Sequence, residues 1–291
     1  MNTPIISCNI IGGLGNQLFQ IMTTITYALQ NKCVFLFPYD RLAINRPTYW
    51  DTFLSSLKKF TTNNIHCKIK NSDLMYFPKY SEPVFHYSPI PSFGKSFFLN
   101  GYFQSYKYFE KEKTNIFKMI HLEDNRQIVK SEFTHYFSVD KEQVLISMHF
   151  RLGDYKNLPT YHPILPIEYY RKSIEYLSLK LPDTNFRILY CCEENDNEIV
   201  LKNIQYLKDT FSHLSLDFIK VSDDICDWKQ MIIMSLCDHH IIANSTFSWW
   251  SAYFNSYEEK IVCYPSVWFG ISLQNKKVSD MYPTTWTCIH L

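Results

Sequence analysis

Glycine is scarce in this chain, with seven residues in 291. Charge of either sign is not in excess: 29 Lys and Arg stand against 28 Asp and Glu, a formal net charge of +1. The two signs are interspersed, so the electrostatic footprint of a nucleic-acid partner is missing. The nine cysteines contain no C-x-x-C and no metal-type spacing with histidine, and only Cys191 and Cys192 are adjacent. That excludes structural zinc and a disulfide framework, and the thiols are expected mostly in the core of a cytoplasmic protein. No apolar run reaches eighteen residues, and an apolar strand begins almost at Met1, so neither a membrane segment nor a signal peptide is expected. Internal repeats and low-complexity linkers are also missing. The length suits one large domain or two of ordinary size.

Against that scarcity, three of the seven glycines fall in GGLGNQLFQ, residues 12–20. The stretch follows PIISCNII, which reads as a buried strand. It leads into a helix on which Leu18, Met22, Ile25 and Leu29 recur at helical spacing. A strand, a glycine turn and a helix N-terminus make a common site for an anion or a sugar nucleotide. Gly13 and Gly15 match two positions of G-x-G-x-x-G, but Leu18 stands at the third, and Asp40 lies late for the ribose-binding acid. A plain strand-to-helix turn without a ligand is the alternative.

The first half begins β-α-β and then turns irregular. FPKYSEPVFHYSPIPSFG, residues 77–94, reads as a long ordered loop, and HLEDNRQIVKSEF, residues 121–133, as a polar stretch ahead of a new strand. From QVLISMHF onward, strands and helices alternate as far as KIVCYP. Such alternation argues for a parallel sheet covered on both faces.

In an open parallel sheet, ligands bind beyond the carboxyl ends of the strands, and three more clusters sit there. HFRLGDY, residues 149–155, places His149 and Arg151 on one face of a strand end beside Gly153. Arg151 suits bidentate binding of phosphate, or an ion pair with Asp154 that only fixes the turn. VSDDICDW, residues 221–228, offers Asp223 and Asp224 to a ribose or base, or as caps of the next helix. No third carboxylate stands at a metal's interval. ANSTFSWWSAYF, residues 243–254, puts Asn244, Ser245 and Thr246 at a helix N-terminus fit for phosphate, or for simple capping. Asn244-Ser245-Thr246 is formally a glycosylation sequon, with no such meaning in a cytoplasmic protein.

Together these motifs resemble the inverting α-1,2-fucosyltransferases of the glycosyltransferase family 11 type: the GGLGNQ start, H-x-R-x-G-D, S-D-D, N-S-x-F-S-W-W, and also GYFQS at residues 101–105. The likeness runs from about Ile10 to Trp268. It implies an α/β protein of the GT-B arrangement, two Rossmann-like domains facing a cleft. Residues 1–140 would form the acceptor-side domain and 141–291 the GDP-fucose-binding domain. It implies transfer of fucose from GDP-β-L-fucose to a galactoside hydroxyl of a glycan with inversion, with no cofactor and no metal. Arg151 matches the arginine that neutralises the departing diphosphate. Asp223 and Asp224 match the segment near the nucleoside, and Ser245, Thr246 and Phe247, after Asn244, match the phosphate-binding turn. Gly13, Gly15, Asn16 and Gln17 would face the fucose and its leaving phosphate. Many relatives carry a second arginine where this chain has Leu152, so one cationic contact is absent or supplied elsewhere.

Without a metal, a guanidinium and helix N-terminal N–H groups must stabilise the leaving charge. His149 and Asp154 are the candidates to take the acceptor's proton, or they serve only to orient Arg151. The alternatives are a fucosyltransferase acting on peptide or on another sugar position, an NAD-type oxidoreductase, and a non-catalytic glycan-binding protein.

Overall fold

A computed structural model describes residues 3–43, 46–138 and 143–291. The chain forms two compact units, Met1–Asn125 with Lys276–Pro283, and Arg126–Asn275 with Thr284–Leu291. The boundary expected near residue 140 lies outside the described residues. The two compact units divide ahead of Arg126, and a short C-terminal segment belongs with the first unit. Each unit is built on its own parallel sheet, as the GT-B reading expects.

In the first unit, β1 (Ile5–Cys8), α1 (Leu14–Gln30), β2 (Val34–Phe35), β3 (Lys79–Ser81) and β4 (Phe97–Asn100) make a four-stranded sheet in the order β2-β1-β4-β3, parallel throughout. Every residue of α1 from Leu14 to Ala28 except Asn16 is buried, the polar Gln17, Gln20, Thr23, Thr24 and Thr26 among them. The expected strand after α1 is reduced to two residues. The stretch expected as loop contains β3, a strand too short to show alternation.

The helix α2 (Leu122–Glu132) occupies the stretch expected to be merely polar. Its Leu122, Arg126 and Val129 are buried at spacings of four and three, one face of a helix. Arg126 explains the missing signal: a charge sits in the middle of the buried face. Its Nη1 donates to the carbonyl oxygens of Ser235 (3.3 Å) and Phe254 (2.6 Å), the last residues of the helices Asp227–Ser235 and Thr246–Phe254. One guanidinium thus satisfies two terminal carbonyls and meets the negative ends of two helix dipoles.

The second unit alternates as expected: β5 (Gln143–His149), α3 (Ile167–Lys180), β6 (Asn185–Cys191), α4 (Asn197–Thr210), β7 (Leu216–Lys220), α5 (Asp227–Ser235), β8 (His239–Ile241), α6 (Thr246–Phe254) and β9 (Val262–Pro265), with an unexpected β10 (Thr287–Ile289). The six strands are parallel and run β10-β9-β8-β5-β6-β7. This is the doubly wound order in which the chain leaves the central strand first one way and then the other. The reversal falls between β5 and β8, and the crevice beyond their carboxyl ends is where such sheets hold ligands. Ile146, Met148, Ile188 and Ile241 fill the core here, with Trp249 and Trp250 of α6 fully buried.

Candidate active site

At the end of β5 the chain presents His149, Phe150 and Arg151, and at the end of β8 it presents Asn244 and Ser245. The sheet therefore brings two of the expected clusters to the switch point. The Arg151 guanidinium is ion-paired through Nη2 with Asp154 and through Nη1 with Glu193, which follows β6. It lies 4.7 Å from the centroid of the Tyr155 ring, and the Tyr155 hydroxyl donates to the Asn244 carbonyl at 3.0 Å. Tyr155 stacks in turn on His162, ring centroids 4.7 Å apart. One aromatic residue thus ties the arginine turn to the α6 turn.

The arginine turn is held from β6 as well. Gly153 has φ +34, and a Cβ there would collide with the Glu193 carboxylate. Its N–H donates to Asp196 at 2.7 Å. Asp196 is 1% exposed and also pairs with Lys156. The ion pair of Arg151 with Asp154 therefore exists, within a wider frame that leaves the guanidinium partly exposed. Leu152, at the position where the family resemblance implies a second arginine, is buried in the core, so a charged head there would have to enter apolar surroundings.

His149 is buried, its Nδ1 3.1 Å from Ser248 Oγ and its ring against Phe247, centroids 5.3 Å apart. Burial, reinforced by the Arg151 charge, pushes its pKa down to about 3. A general base works best with a pKa near the operating pH, so this imidazole is better suited to neutral hydrogen bonding than to proton abstraction. Ser248 accepts from the Ala243 N–H at 3.2 Å, which joins His149 to the α6 turn.

Ser245 is the N-cap of α6, its Oγ accepting from the Phe247 N–H at 3.3 Å, and Thr246 opens the helix. Asn244 is fully buried. Its amide donates to the carbonyls of Pro163 (2.9 Å) and Trp268 (3.3 Å), so it binds two loops together beneath the turn. Asp223 and Asp224 lie after β7, at the sheet's outer edge. Asp223 pairs with Lys220 and accepts from Asn197 Nδ2 at 3.2 Å; Asp224 is exposed. Neither caps α5, whose N-cap is Cys226.

Gly13, Gly15, Asn16 and Gln17 lie in the first unit, at the start of α1. The residue with left-handed backbone is Gly12, φ +81, where a Cβ would meet Asn16 Nδ2 at 2.5 Å. Gly13 is the N-cap with extended backbone and open space around its Cα. Gln17 is buried and donates to the carbonyls of Gly12 (2.9 Å) and Pro47 (2.8 Å), which locks the turn. Asn16 Oδ1 accepts from Gln104 of the GYFQS segment at 2.8 Å. Those two motifs meet at the carboxyl ends of β1 and β4.

Sequence reasoning missed Glu193, Asp196, Tyr155, Ser248 and Gly12. Glu193 and Asp196 were within reach of it: they follow a strand that neighbours β5, so they fall on the ligand end of the sheet. Among the described residues, no three of His, Cys, Asp and Glu converge as a metal's ligands would. No helix among them is long and apolar enough to cross a membrane.

A guanidinium and a capped helix N-terminus at the switch point of a doubly wound sheet are the parts a glycosyltransferase needs for its departing nucleotide. The chain belongs to glycosyl transferase family 11, whose model it matches over residues 3–290. It is 25% identical over 313 aligned positions, 93% of this chain and 97% of the other, to the O-antigen biosynthesis glycosyltransferase WbnK of Escherichia coli. It is 30% identical over 151 positions, 50% of this chain and 47% of the other, to an alpha-1,2-colitosyltransferase of Escherichia coli. Among solved structures, a mutant of Arabidopsis thaliana FUT1 in complex with GDP aligns with a TM-score of 0.47 at 12% identity, over 87% of this chain and 69% of that one.

Proposed function

We propose that this glycosyltransferase moves fucose from GDP-β-L-fucose to a galactoside hydroxyl of a glycan, forming an α-1,2 linkage with inversion. The observation that carries the donor side is the Arg151 guanidinium at the switch point, tied through Tyr155 to the N-terminus of α6. As the bond between the sugar and the diphosphate breaks, negative charge collects on the phosphate oxygens. The guanidinium and the first N–H groups of α6 then stabilise GDP as it leaves, an interaction stronger in the transition state than in the ground state. The acceptor oxygen bonds to the anomeric carbon from the opposite face as the bond to the diphosphate oxygen breaks, and its proton passes to solvent water. His149 at about 3 is a weak acceptor for that proton, and an oxocarbenium-like transition state needs little help from a base. Asp223 and Asp224, beside Lys220, form the nucleoside end of the donor site.

A second reading of the donor comes from the relative named as an alpha-1,2-colitosyltransferase: colitose in place of fucose. A panel of small glycans incubated with GDP-fucose or GDP-colitose and read by mass spectrometry separates the two. A mass increment of one fucose on terminal galactosides supports the first, and transfer of colitose alone replaces it with the second. Absence of any transfer or GDP binding returns the chain to the glycan-binding reading.

A further inference from the structure

Two carboxylates share the single guanidinium of Arg151. Asp154 engages Nη2 from the same turn, and Glu193 engages Nη1 from 42 residues away. Each carboxylate side chain is about half exposed, at 49% and 51%, whereas Asp196 on the same segment is buried and fixed by the Gly153 N–H and Lys156. The Glu193 seat is shaped for it, because only the missing Cβ of Gly153 leaves room for the carboxylate. With both carboxylates in place the local charge is net negative, and a diphosphate approaching Arg151 meets like charge at contact range.

We propose that Glu193 is a displaceable counter-ion: it holds the Arg151 guanidinium in the unliganded enzyme, swings to solvent when the donor's diphosphate binds, and returns as GDP leaves. The backbone on either side stays put. Cys191 is laddered to His149 and Asp196 is buried, so the side chain alone moves. Asp154 is tethered three residues from Arg151 and keeps the guanidinium aimed while Glu193 is away. Glu193 thereby competes with the diphosphate for one edge of the arginine and sets how tightly GDP is held.

The inference rests on the diphosphate-binding reading of Arg151. It is tested by calorimetric titration of GDP into the wild-type protein and the Glu193→Gln, Glu193→Ala and Asp154→Asn variants, with melting curves to establish folding. Removing the competitor is expected to lower the Kd for GDP by roughly two- to five-fold in both Glu193 variants, the range an exposed ion pair allows. The gain should shrink at high salt, where screening weakens the competition. A Kd that is unchanged or raised in folded Glu193 variants, while the wild type binds GDP, overturns the inference and leaves the donor reading standing. Tightening in Asp154→Asn alone does the same. Failure of all four proteins to bind GDP overturns the donor reading and the inference together.

Discussion

On the proposed function, Arg151 is the residue on which the donor site depends. Its ion-pair partners are half exposed, so the pairs contribute no more than about 1 kcal/mol each to folding, and Arg151→Ala is expected to fold. The same substitution removes a cation from where the leaving group gains charge. Loss of one such preorganised donor lowers kcat by roughly 10²–10³, or about 2.7–4 kcal/mol. Arg151→Lys should recover only part, since an ammonium lacks the planar two-pronged contact. If the arginine served only to fix its turn, Asp154→Ala would reduce stability and rate as much as Arg151→Ala does. Melts and transfer rates on both variants decide it, and near-normal turnover by folded Arg151→Ala refutes the assignment. At the other end of the chain, Gly12 and Gly13 separate conformational need from motif position. Gly12→Ala should cost about 1–2 kcal/mol for its left-handed backbone, with further strain against Asn16. Gly13→Ala, with φ −73 and open space, should cost less in chemical denaturation.

Among elements, what was legible followed from length and periodicity. β5, β6 and the helices α3, α4 and α6 announced themselves because each is long or strongly apolar. α2 did not, because Arg126 interrupts its buried face, and β3 and β10 did not, because three residues show no period and neither lies in an apolar run like the one around β8. In the site, His149 and Arg151 were legible from one strand end. Glu193 and Asp196 could be put at the ligand end of the sheet from the strand they follow, but their places beside Arg151 and Gly153 come from the parallel register of β5 and β6, which no local spacing encodes. The two strands at the switch point also carry three buried histidines. Burial lowers the pKa of His149, to about 3, and that of His240 well below the ordinary value; it also lowers His239, against an opposing effect of Asp238. His240 is bonded on both sides. Asn255 Oδ1 accepts from the Tyr257 N–H (2.7 Å), so its Nδ2 donates to His240 Nε2 (2.8 Å), and His240 Nδ1–H donates to Ser147 (2.7 Å). Below about pH 6.5 the unfolded chain takes up protons on these rings that the folded chain refuses. Their contribution to stability is therefore complete above that pH. It is lost as pH falls toward the folded values, by up to about 1.4 kcal/mol per pH unit for each ring. Melting temperatures between pH 7.5 and 5 should fall accordingly, and a flat profile would show that the rings are not held neutral.

For the whole molecule, the chemistry proposed for Arg151 and α6 predicts transfer that is independent of an added divalent ion. Activity is expected to persist in EDTA and to gain little from Mn²⁺ or Mg²⁺; abolition by chelation with rescue by either ion contradicts that. A last consequence concerns how the polypeptide is threaded. Neither unit is a continuous piece of chain, because Lys276–Pro283 returns to the first while Thr284–Leu291 goes back to the second. The returning segment is fastened there: the Ser105 hydroxyl donates to the Asp280 carbonyl at 2.6 Å, and Lys107 pairs with the Asp280 carboxylate at 2.9 Å. No single cut in the gene can therefore yield both units whole. A fragment ending before Arg126 lacks its Asp280 anchor, and the complementary fragment carries that anchor as a stray insert. Recombination that exchanges one unit for a relative's would need three crossovers, at the three points where the chain passes from one unit to the other.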